Sequence, residues 1–359
     1  RLFTALLTLL HYSLTYQQIL ATKHRRFQQL HEYHHRLLER VDYAHKLDQA
    51  RELIQRNDII VTQILQHGLK VYGITWDELM AFQTRSRGTA ETENVGEVDQ
   101  CIKLITRDWA DVGREEREAG VGRVLKMRER IRGRVLVPGA GVGRLVHEVE
   151  KMEEVKEVVV NEYSYLVVVT ARWVFDVVRR GEKRAWQVWP HLGWWSHRRV
   201  TEGALFKRVE FPDEEEEEDK KIQWVEGDFV TSFFNQEGTY DTVLTLFFID
   251  TARNIVEYIH RIYQLLKPGG TWINVGPLLY GTKPLVELSL NEVLMVVEEV
   301  GFVIEDTEEG WGESTFGDGD GEMARWKGKV RKGLAGYGFD EEATMNRNIY
   351  EVQCWVARK

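Results

Sequence analysis

The chain has 359 residues, of which 43% are hydrophobic and 29% are charged. This length and balance are those of one large globular domain or two smaller ones, which excludes a disulfide-stapled peptide and a wholly disordered chain. Because 48 Lys and Arg residues stand against 57 Asp and Glu residues, the net charge is −9. The sequence therefore lacks a global basic field, and we expect no nucleic-acid partner.

The use of cysteine indicates a reducing compartment, and the hydropathy of the sequence indicates that no segment spans a membrane. Cys101 and Cys354 lie far apart without further metal-ligand spacing, so neither a disulfide framework nor a metal site is predicted. The apolar stretch Leu2 to Leu10 is too short to cross a bilayer. We expect a cytoplasmic protein that could also occupy the nucleus. Arg1 stands where an initiator Met would stand, so a signal ahead of it is left open.

Residues 1–132 form a predicted helical region. Gly and Pro are almost absent before Gly73, and apolar residues recur at helical spacing. The spacing predicts two long helices up to Gly73, a short helix that Thr75 caps, and further helices over about 98–118 and 122–132. His31, His34 and His35 share one helix face, but without a carboxylate or Cys partner we interpret them as solvent-exposed.

From Gly133 to Lys359 the pattern changes to short β-branched runs that alternate with helical stretches. This alternation predicts an α/β domain with a central, mostly parallel sheet of about seven strands and an antiparallel final hairpin. Two segments interrupt the alternation. The acidic run 213–219 predicts a solvated loop, and the Gly-rich segment from about 310 to 343 predicts a flexible insertion.

The strongest local motif is a glycine turn between a strand and a helix. Val135 to Leu145 reads VLVPGAGVGRL, an apolar strand that runs directly into glycines. Glycine lets the backbone take a positive φ and approach a ligand, and the following helix offers unpaired N–H groups. Gly139, Gly141 and Gly143 give G-x-G-x-G rather than the G-x-G-x-x-G of dinucleotide sites. This spacing is typical of S-adenosylmethionine-dependent methyltransferases.

Two further candidate cofactor contacts follow later strands. Glu162 closes the second strand, 19 residues after Gly143, where its carboxylate could accept hydrogen bonds from both ribose hydroxyls. Asp228 and Phe229 follow the third strand, where Asp could accept from the adenine amino group and Phe could flank the ring. Taken singly, the glycine motif could also be a tight βα turn, Glu162 a surface residue and Asp228 the cap of the next helix.

A candidate substrate residue follows the fourth strand. Asp250 stands in Phe247 to Asn254 (FFIDTARN), directly after an apolar run. Active crevices of doubly wound sheets lie outside the carboxyl ends of the strands, so this carboxylate is placed to meet substrate. The alternative is that Asp250 caps the following helix.

With these motifs the sequence resembles the carnosine N-methyltransferase family. The resemblance covers most of the chain from about residue 97. It rests on Val137 to Leu145, Asn161 to Ser164, FFIDTARN, and Leu266 to Tyr280 (LKPGGTWINVGPLLY), and more weakly on 107–118 and 350–359. It implies a class I, Rossmann-like methyltransferase fold after an N-terminal helical domain. It also implies methyl transfer from S-adenosylmethionine to an imidazole nitrogen of carnosine, giving anserine.

The resemblance also assigns residues. It implies that Arg114 and Arg117 reach the cofactor from the helical region, that Leu246 contacts the cofactor, and that Asp250 faces the substrate imidazole. In the expected substrate pocket, Tyr350 is retained, but Gly281 stands where the family places His, and Asn348 stands where it has Tyr. The acceptor is therefore carnosine, a related histidine-containing dipeptide, or another imidazole or peptide-like amine.

Three functions remain open from the sequence. The first is this N-methyltransferase, acting on a small molecule or dipeptide without a metal. The second is a catalytically silent methyltransferase fold that serves as an interaction module, and the third is a nicotinamide oxidoreductase, which the glycine spacing disfavours. A homodimer is kept as an open alternative.

Overall fold

The computed structural model describes residues 1–86, 95–214, 222–337 and 344–359. The helices are α1 (Leu2–Leu10), α2 (Tyr12–Gln28), α3 (Glu32–Glu39), α4 (Tyr43–Tyr72), α5 (Trp76–Ser86), α6 (Val95–Trp109), α7 (Arg114–Leu125), α8 (Arg144–Glu150), α9 (Tyr165–Arg179), α10 (Ile255–Leu265) and α11 (Leu290–Val300). The strands are β1 (Gly133–Pro138), β2 (Val155–Glu162), β3 (Trp186–Val188), β4 (Val209–Phe211), β5 (Ile222–Glu226), β6 (Tyr240–Leu246), β7 (Leu266–Gly276), β8 (Val303–Ile304), β9 (Glu313–Ser314), β10 (Arg331–Gly336) and β11 (Ile349–Arg358).

The chain divides into two compact units by its internal contacts. The first unit comprises Arg1–Gly113, Tyr165–Glu217 and Asp340–Asn346, and the second comprises Arg114–Ser164, Glu218–Phe339 and Arg347–Lys359. This grouping differs from a single boundary at residue 133. Helix α9 belongs with the N-terminal helices, and α7 belongs with the large sheet.

The first unit packs helices around an apolar core and one buried amide. Along α4, the buried positions recur every three or four residues from Leu47 to Gly68, so one face of this long helix is covered. Asn57 lies on that face, where its side chain exchanges two hydrogen bonds with the backbone of Trp189, at 2.8 and 3.0 Å. This pairing satisfies a buried polar group that would otherwise be costly. None of the described helices is long and apolar enough to cross a membrane.

Several helix predictions are confirmed, and others need correction. Thr75 and Glu78 form the reciprocal cap that begins α5. The region before Gly73 holds four helices rather than two. The helix predicted over 98–118 is interrupted between α6 and α7.

The second unit is built on one twisted sheet with the strand order β5-β2-β1-β6-β7-β11-β10-β9, and β8 pairs with β11. The strands β5, β2, β1, β6 and β7 pair in parallel, whereas β11 pairs antiparallel with both β7 and β10. Seven of the nine strands are longer than two residues. The predicted mostly parallel sheet with an antiparallel final hairpin is therefore confirmed.

The flexible insertion predicted for about 310–343 is wrong over residues 310–337. Strands β9 and β10 extend the sheet in this segment, and Trp326 and Val330 are fully buried. The Trp326 indole donates a hydrogen bond to Glu298 Oε1 at 2.9 Å. Aromatic burial and edge-strand pairing outweigh the high glycine content here. Residues 338–343 lie outside the described part, as do residues 215–221, which hold most of the predicted acidic loop.

Replacing Trp326 with Ala tests this correction. Because the indole is buried to 1% exposure, we expect the variant to lose about 3–5 kcal/mol of unfolding free energy. Leu334→Ala is the matched control, since Leu334 also lies in this segment but is 65% exposed and should change stability by less than about 0.5 kcal/mol. Chemical denaturation measures both, and equal small effects would restore the flexible-insertion interpretation.

Candidate active site

The site lies where the strand order reverses. Strand β1 pairs with β2 on one side and with β6 on the other. The chain passes from β1 to β2 toward one edge of the sheet and from β6 to β7 toward the other edge. A crevice for ligands forms outside the carboxyl ends of the strands at such a point. Most of the predicted site residues follow the carboxyl ends of β1, β2, β5 and β6.

The glycine turn after β1 has the backbone that the sequence predicts. Gly139, Gly141 and Gly143 have φ values of 64°, 59° and 90°, all in the left-handed region that favours glycine. A Cβ on Gly139 would lie 2.4 Å from the ring of Phe248, so this glycine allows a close approach. A Cβ on Gly141 would meet no atom within 4 Å. The turn therefore leaves open space at Gly141, as a backbone cradle for a ligand requires.

Glu162 holds the glycine turn. Its Oε2 accepts a hydrogen bond from the Gly141 amide at 3.1 Å, and its Oε1 accepts from the amides of Tyr163 and Ser164 at 2.8 and 3.0 Å. Burial raises the pKa of this carboxyl, while the three hydrogen bonds oppose the rise. A carboxylate offers about four acceptor positions, so about one position, on Oε2, is left for a ribose hydroxyl.

Asn161 is a site residue to which the sequence analysis assigned no role. Its buried side-chain amide donates to the carbonyls of Val225 and Gly227 at 2.9 and 3.0 Å, which fixes the turn after β5. That turn presents Asp228, whose Oδ1 accepts from the amides of Val230 and Thr231. Within the described residues, Oδ2 of Asp228 has no hydrogen-bond partner and is available to a ligand.

Phe229 needs a correction. Its ring is only 2% exposed and packs against Phe233, Phe248 and Tyr258 with centroid distances of 5.2–5.8 Å. The prediction that this ring flanks adenine does not agree with the structure, because the Phe229 side chain lies in the hydrophobic core and packs against other aromatic rings.

Helix α7 carries both predicted arginines. Arg114 is exposed and Arg117 is buried to 8% exposure. One turn further along, Gly120 lies against the end of β6, since a Cβ on it would be 3.6 Å from Phe247 and 3.8 Å from Leu246. Residues three apart share a helix face, so Arg117 is on the face that α7 turns toward the carboxyl end of β6.

The chain turns sharply where β6 ends. Phe247 has φ 51°, which is uncommon for a bulky residue. Its ring forms an aromatic cluster with Tyr337 and Tyr350, with ring centroids 5.8–6.2 Å apart. Backbone strain of this kind tends to occur at functional sites. The sequence gives no sign of a role for Phe247 or Tyr337, because neither the strained turn nor the approach of the final hairpin is visible in the chain order.

Asp250 lies in the short helical turn that follows, and it is buried to 5% exposure. The Leu279 amide donates to its Oδ2 at 2.9 Å. Burial raises the pKa of this carboxyl, and the Leu279 hydrogen bond opposes the rise. No Lys or Arg of the described residues forms an ion pair with it. The prediction that Asp250 caps the following helix is not supported, since α10 begins at Ile255 with Asn254 before it.

The two departures from the expected substrate pocket are both exposed. Gly281 has no positive φ, and a Cβ there would meet nothing within 4 Å. Asn348 is exposed, and its carbonyl accepts the Tyr337 amide at 2.8 Å, which closes the hairpin beside the aromatic cluster. A side chain at Gly281 would therefore meet neither backbone strain nor collision.

Taken together, the strand order with its antiparallel last strand and the glycine turn at its reversal define a class I S-adenosylmethionine-dependent methyltransferase fold. The open space at Gly141 and the unpartnered Oδ2 of Asp228 fit this cofactor.

Comparison with known proteins then gives the family. A sequence model described as carnosine N-methyltransferase matches residues 84–359. The chain is 29% identical over 301 residues to the carnosine N-methyltransferase of Mus musculus, covering 78% of this chain and 72% of that protein. It is 28% identical over 354 residues to that of Drosophila melanogaster, covering 88% and 71%. The chain belongs to the carnosine N-methyltransferase family, and it is an N-methyltransferase.

A substitution at Gly141 tests the cofactor cradle. Gly141→Ala should weaken binding of S-adenosylhomocysteine about tenfold or more, because its methyl group enters the open space of the turn. The left-handed φ should also cost about 1 kcal/mol of stability. Gly181→Ala is the matched control, since Gly181 has φ 70° and equally open surroundings but lies after α9. Calorimetry should show weakened binding only for Gly141→Ala, and unchanged affinity would refute the cradle.

Proposed function

We propose that this enzyme transfers a methyl group from S-adenosylmethionine to an imidazole nitrogen of carnosine, giving anserine, or of a related histidine-containing dipeptide. The family membership supports the reaction class, and the acceptor is our inference from Asp250. The cytoplasmic location and the homodimer stay predictions.

The observation that carries the proposal is the buried carboxylate of Asp250, which forms no ion pair with a Lys or Arg in the described part of the chain. An isolated charge is costly to bury unless a partner compensates it. The Leu279 amide supplies one hydrogen bond, and an acceptor that brings an N–H and then gains positive charge would supply the rest. A neutral imidazole has both properties, since one ring nitrogen attacks while the other carries the proton.

The aromatic cluster supports a flat acceptor that becomes cationic. Phe247, Tyr337 and Tyr350 meet at interplanar angles between 45° and 73°, so their rings face several directions. Aromatic faces attract cations, and they also exclude water from a reacting nitrogen. An imidazolium product fits both effects.

S-adenosylmethionine, when bound, would supply the methyl group from its sulfonium, and the neutral thioether of S-adenosylhomocysteine would be the leaving group. Asp250 would accept a hydrogen bond from the imidazole N–H, which would fix the tautomer and direct the other nitrogen toward the methyl group. Its negative charge would stabilise the positive charge that develops on the ring. Glu162, Asp228 and the glycine turn would bind the cofactor, and Phe247 would help to exclude water.

The direct test is methylation of a defined panel with labelled S-adenosylmethionine. Carnosine, homocarnosine, free histidine and short histidine-containing peptides should separate the acceptors, and mass spectrometry of the product assigns the methylated nitrogen. Transfer to carnosine or homocarnosine supports the proposal. Activity on amines that lack imidazole, with none on imidazoles, would contradict it.

Asp250→Asn separates catalysis from stability. We expect turnover to fall on the order of 10² or more, because an amide still accepts a hydrogen bond but supplies no charge. Since burial raises the pKa of Asp250, the folded protein holds this proton to higher pH than the unfolded chain does. The ionised carboxylate therefore lowers stability as the pH rises through the raised pKa. At neutral pH the Asn variant should melt at the same or a higher temperature.

The control for Asp250→Asn is its affinity for S-adenosylhomocysteine, which should equal that of the wild type. Near-normal turnover by the folded variant would refute the catalytic assignment. A large loss of melting temperature would show that Asp250 is structural.

Gly281→His tests whether position 281 faces the acceptor. The backbone accepts a side chain here, and one added net hydrogen bond of about 1 kcal/mol should raise kcat/KM for carnosine about fivefold. Gly281→Ala, which adds no hydrogen-bonding group, should leave kcat/KM unchanged. If both variants behave like the wild type, position 281 does not contact the acceptor.

A further inference from the structure

The loop after β7, residues 277–289, is tied to the segment that carries Asp250. Three hydrogen bonds connect them: the Leu279 amide to Asp250 Oδ2 at 2.9 Å, the Thr282 hydroxyl to the Thr251 carbonyl at 2.8 Å, and the Leu285 amide to the Arg253 carbonyl at 2.6 Å. The loop and the Asp250 segment therefore run side by side, and every third residue of the loop from 279 to 285 is bonded to that segment. Only one of the three bonds uses a side chain of the loop, that of Thr282.

The two ends of this loop are fixed independently of Thr282. The Tyr280 hydroxyl donates to the Leu288 carbonyl at 2.7 Å and accepts the Leu288 amide at 3.2 Å. Tyr280 and Leu288 also pack against the hydrophobic core of the sheet. Residues 281–287 lie between these two fixed ends, and most of their side chains, including that of Thr282, are exposed. Exposed surface segments are the least stable parts of a fold.

The other side of the contact is also defined. Thr251 follows Asp250 directly, and its hydroxyl donates to the Phe248 carbonyl at 2.6 Å. The Thr251 carbonyl thus accepts the hydrogen bond from the Thr282 hydroxyl. The Thr251 side chain closes the turn that contains Asp250. A bond at this carbonyl holds the turn and the loop at one separation, which is the separation that the Leu279 amide needs to reach Asp250 Oδ2.

We propose that Thr282 is a positioning residue for Asp250. Its hydroxyl keeps the 277–289 loop against the Asp250 turn, so that the Leu279 amide stays on Oδ2 and the carboxylate presents one orientation to the acceptor. The proposal rests on the proposed function, in which Asp250 meets the acceptor. Catalytic groups must be held close to their productive geometry, and displacements of about 1 Å can cost up to about 10² in rate.

The test substitution is Thr282→Val, which keeps the shape and removes the hydroxyl. We expect kcat for carnosine to fall about tenfold, while KM for S-adenosylmethionine and the melting temperature stay at wild-type values because the side chain is exposed. Thr282→Ser should restore most of the rate. Thr239→Val is the matched control. The Thr239 hydroxyl also donates to a carbonyl, that of Gln236 at 2.8 Å, but Thr239 lies just before β6 begins, at the end of that strand far from Asp250.

A double-mutant cycle separates positioning from a general structural effect. If Thr282 acts through Asp250, then Thr282→Val should change the residual rate of the Asp250→Asn enzyme by less than twofold. An equal tenfold loss in both backgrounds would overturn the proposal, as would full activity of Thr282→Val in the otherwise unchanged enzyme.

Hydrogen exchange gives a readout that needs no turnover. Without substrate, the Leu279 amide should exchange at least tenfold faster in Thr282→Val than in the wild type or in Thr239→Val. If carnosine is not a substrate but the Leu279 amide exchanges faster in Thr282→Val, the proposed function is wrong and the positioning contact of Thr282 is confirmed. Unchanged exchange would overturn the positioning proposal whatever the acceptor is.

Discussion

The active site depends on the carboxyl end of β2, where two adjacent side chains hold two neighbouring loops. Glu162 accepts the Gly141 amide from the turn after β1, and Asn161 donates to the turn after β5. The Asn161 side chain is buried and that of Glu162 is partly buried, so their hydrogen bonds would be costly to leave unmade. Because parallel strands end at one edge, a single pair of residues can organise both sides of the predicted cofactor site.

The predicted substrate side depends on a different constraint, the strained turn at Phe247. A left-handed φ at this residue redirects the chain out of β6 and places Asp250 in the following turn. Gly276 gives this turn room, because a Cβ on it would lie 3.2 Å from the Phe247 amide nitrogen, a tight contact. The strain is offset by the packing of Phe247 against the two tyrosines and by the Leu279 amide on Asp250. The two residues that depart from the expected pocket lie outside this fixed core, so acceptor choice can change without disturbing it.

Helix α7 links the sheet edge to the site. Arg123 donates to the Trp311 carbonyl at 2.6 Å, and its guanidinium occupies the space that a Cβ on Gly333 would need. Gly333 therefore serves close packing against α7. By holding α7 on the sheet, this contact keeps Arg117 on the side of the strand ends.

The sequence by itself determined the fold class, the glycine turn and the family, because these depend on local order: alternating strands and helices, glycine spacing, and runs such as FFIDTARN. Glu162, Asp228 and Asp250 follow the ends of strands, so chain order alone placed them at one edge. Only the tertiary structure decided that the Gly-rich segment extends the sheet, that the Phe229 ring is in the core, that Tyr337 packs beside Phe247, and that Thr282 contacts the turn that contains Asp250. Each of these depends on contacts between residues distant in the chain, and such contacts leave no periodic signal in a single sequence.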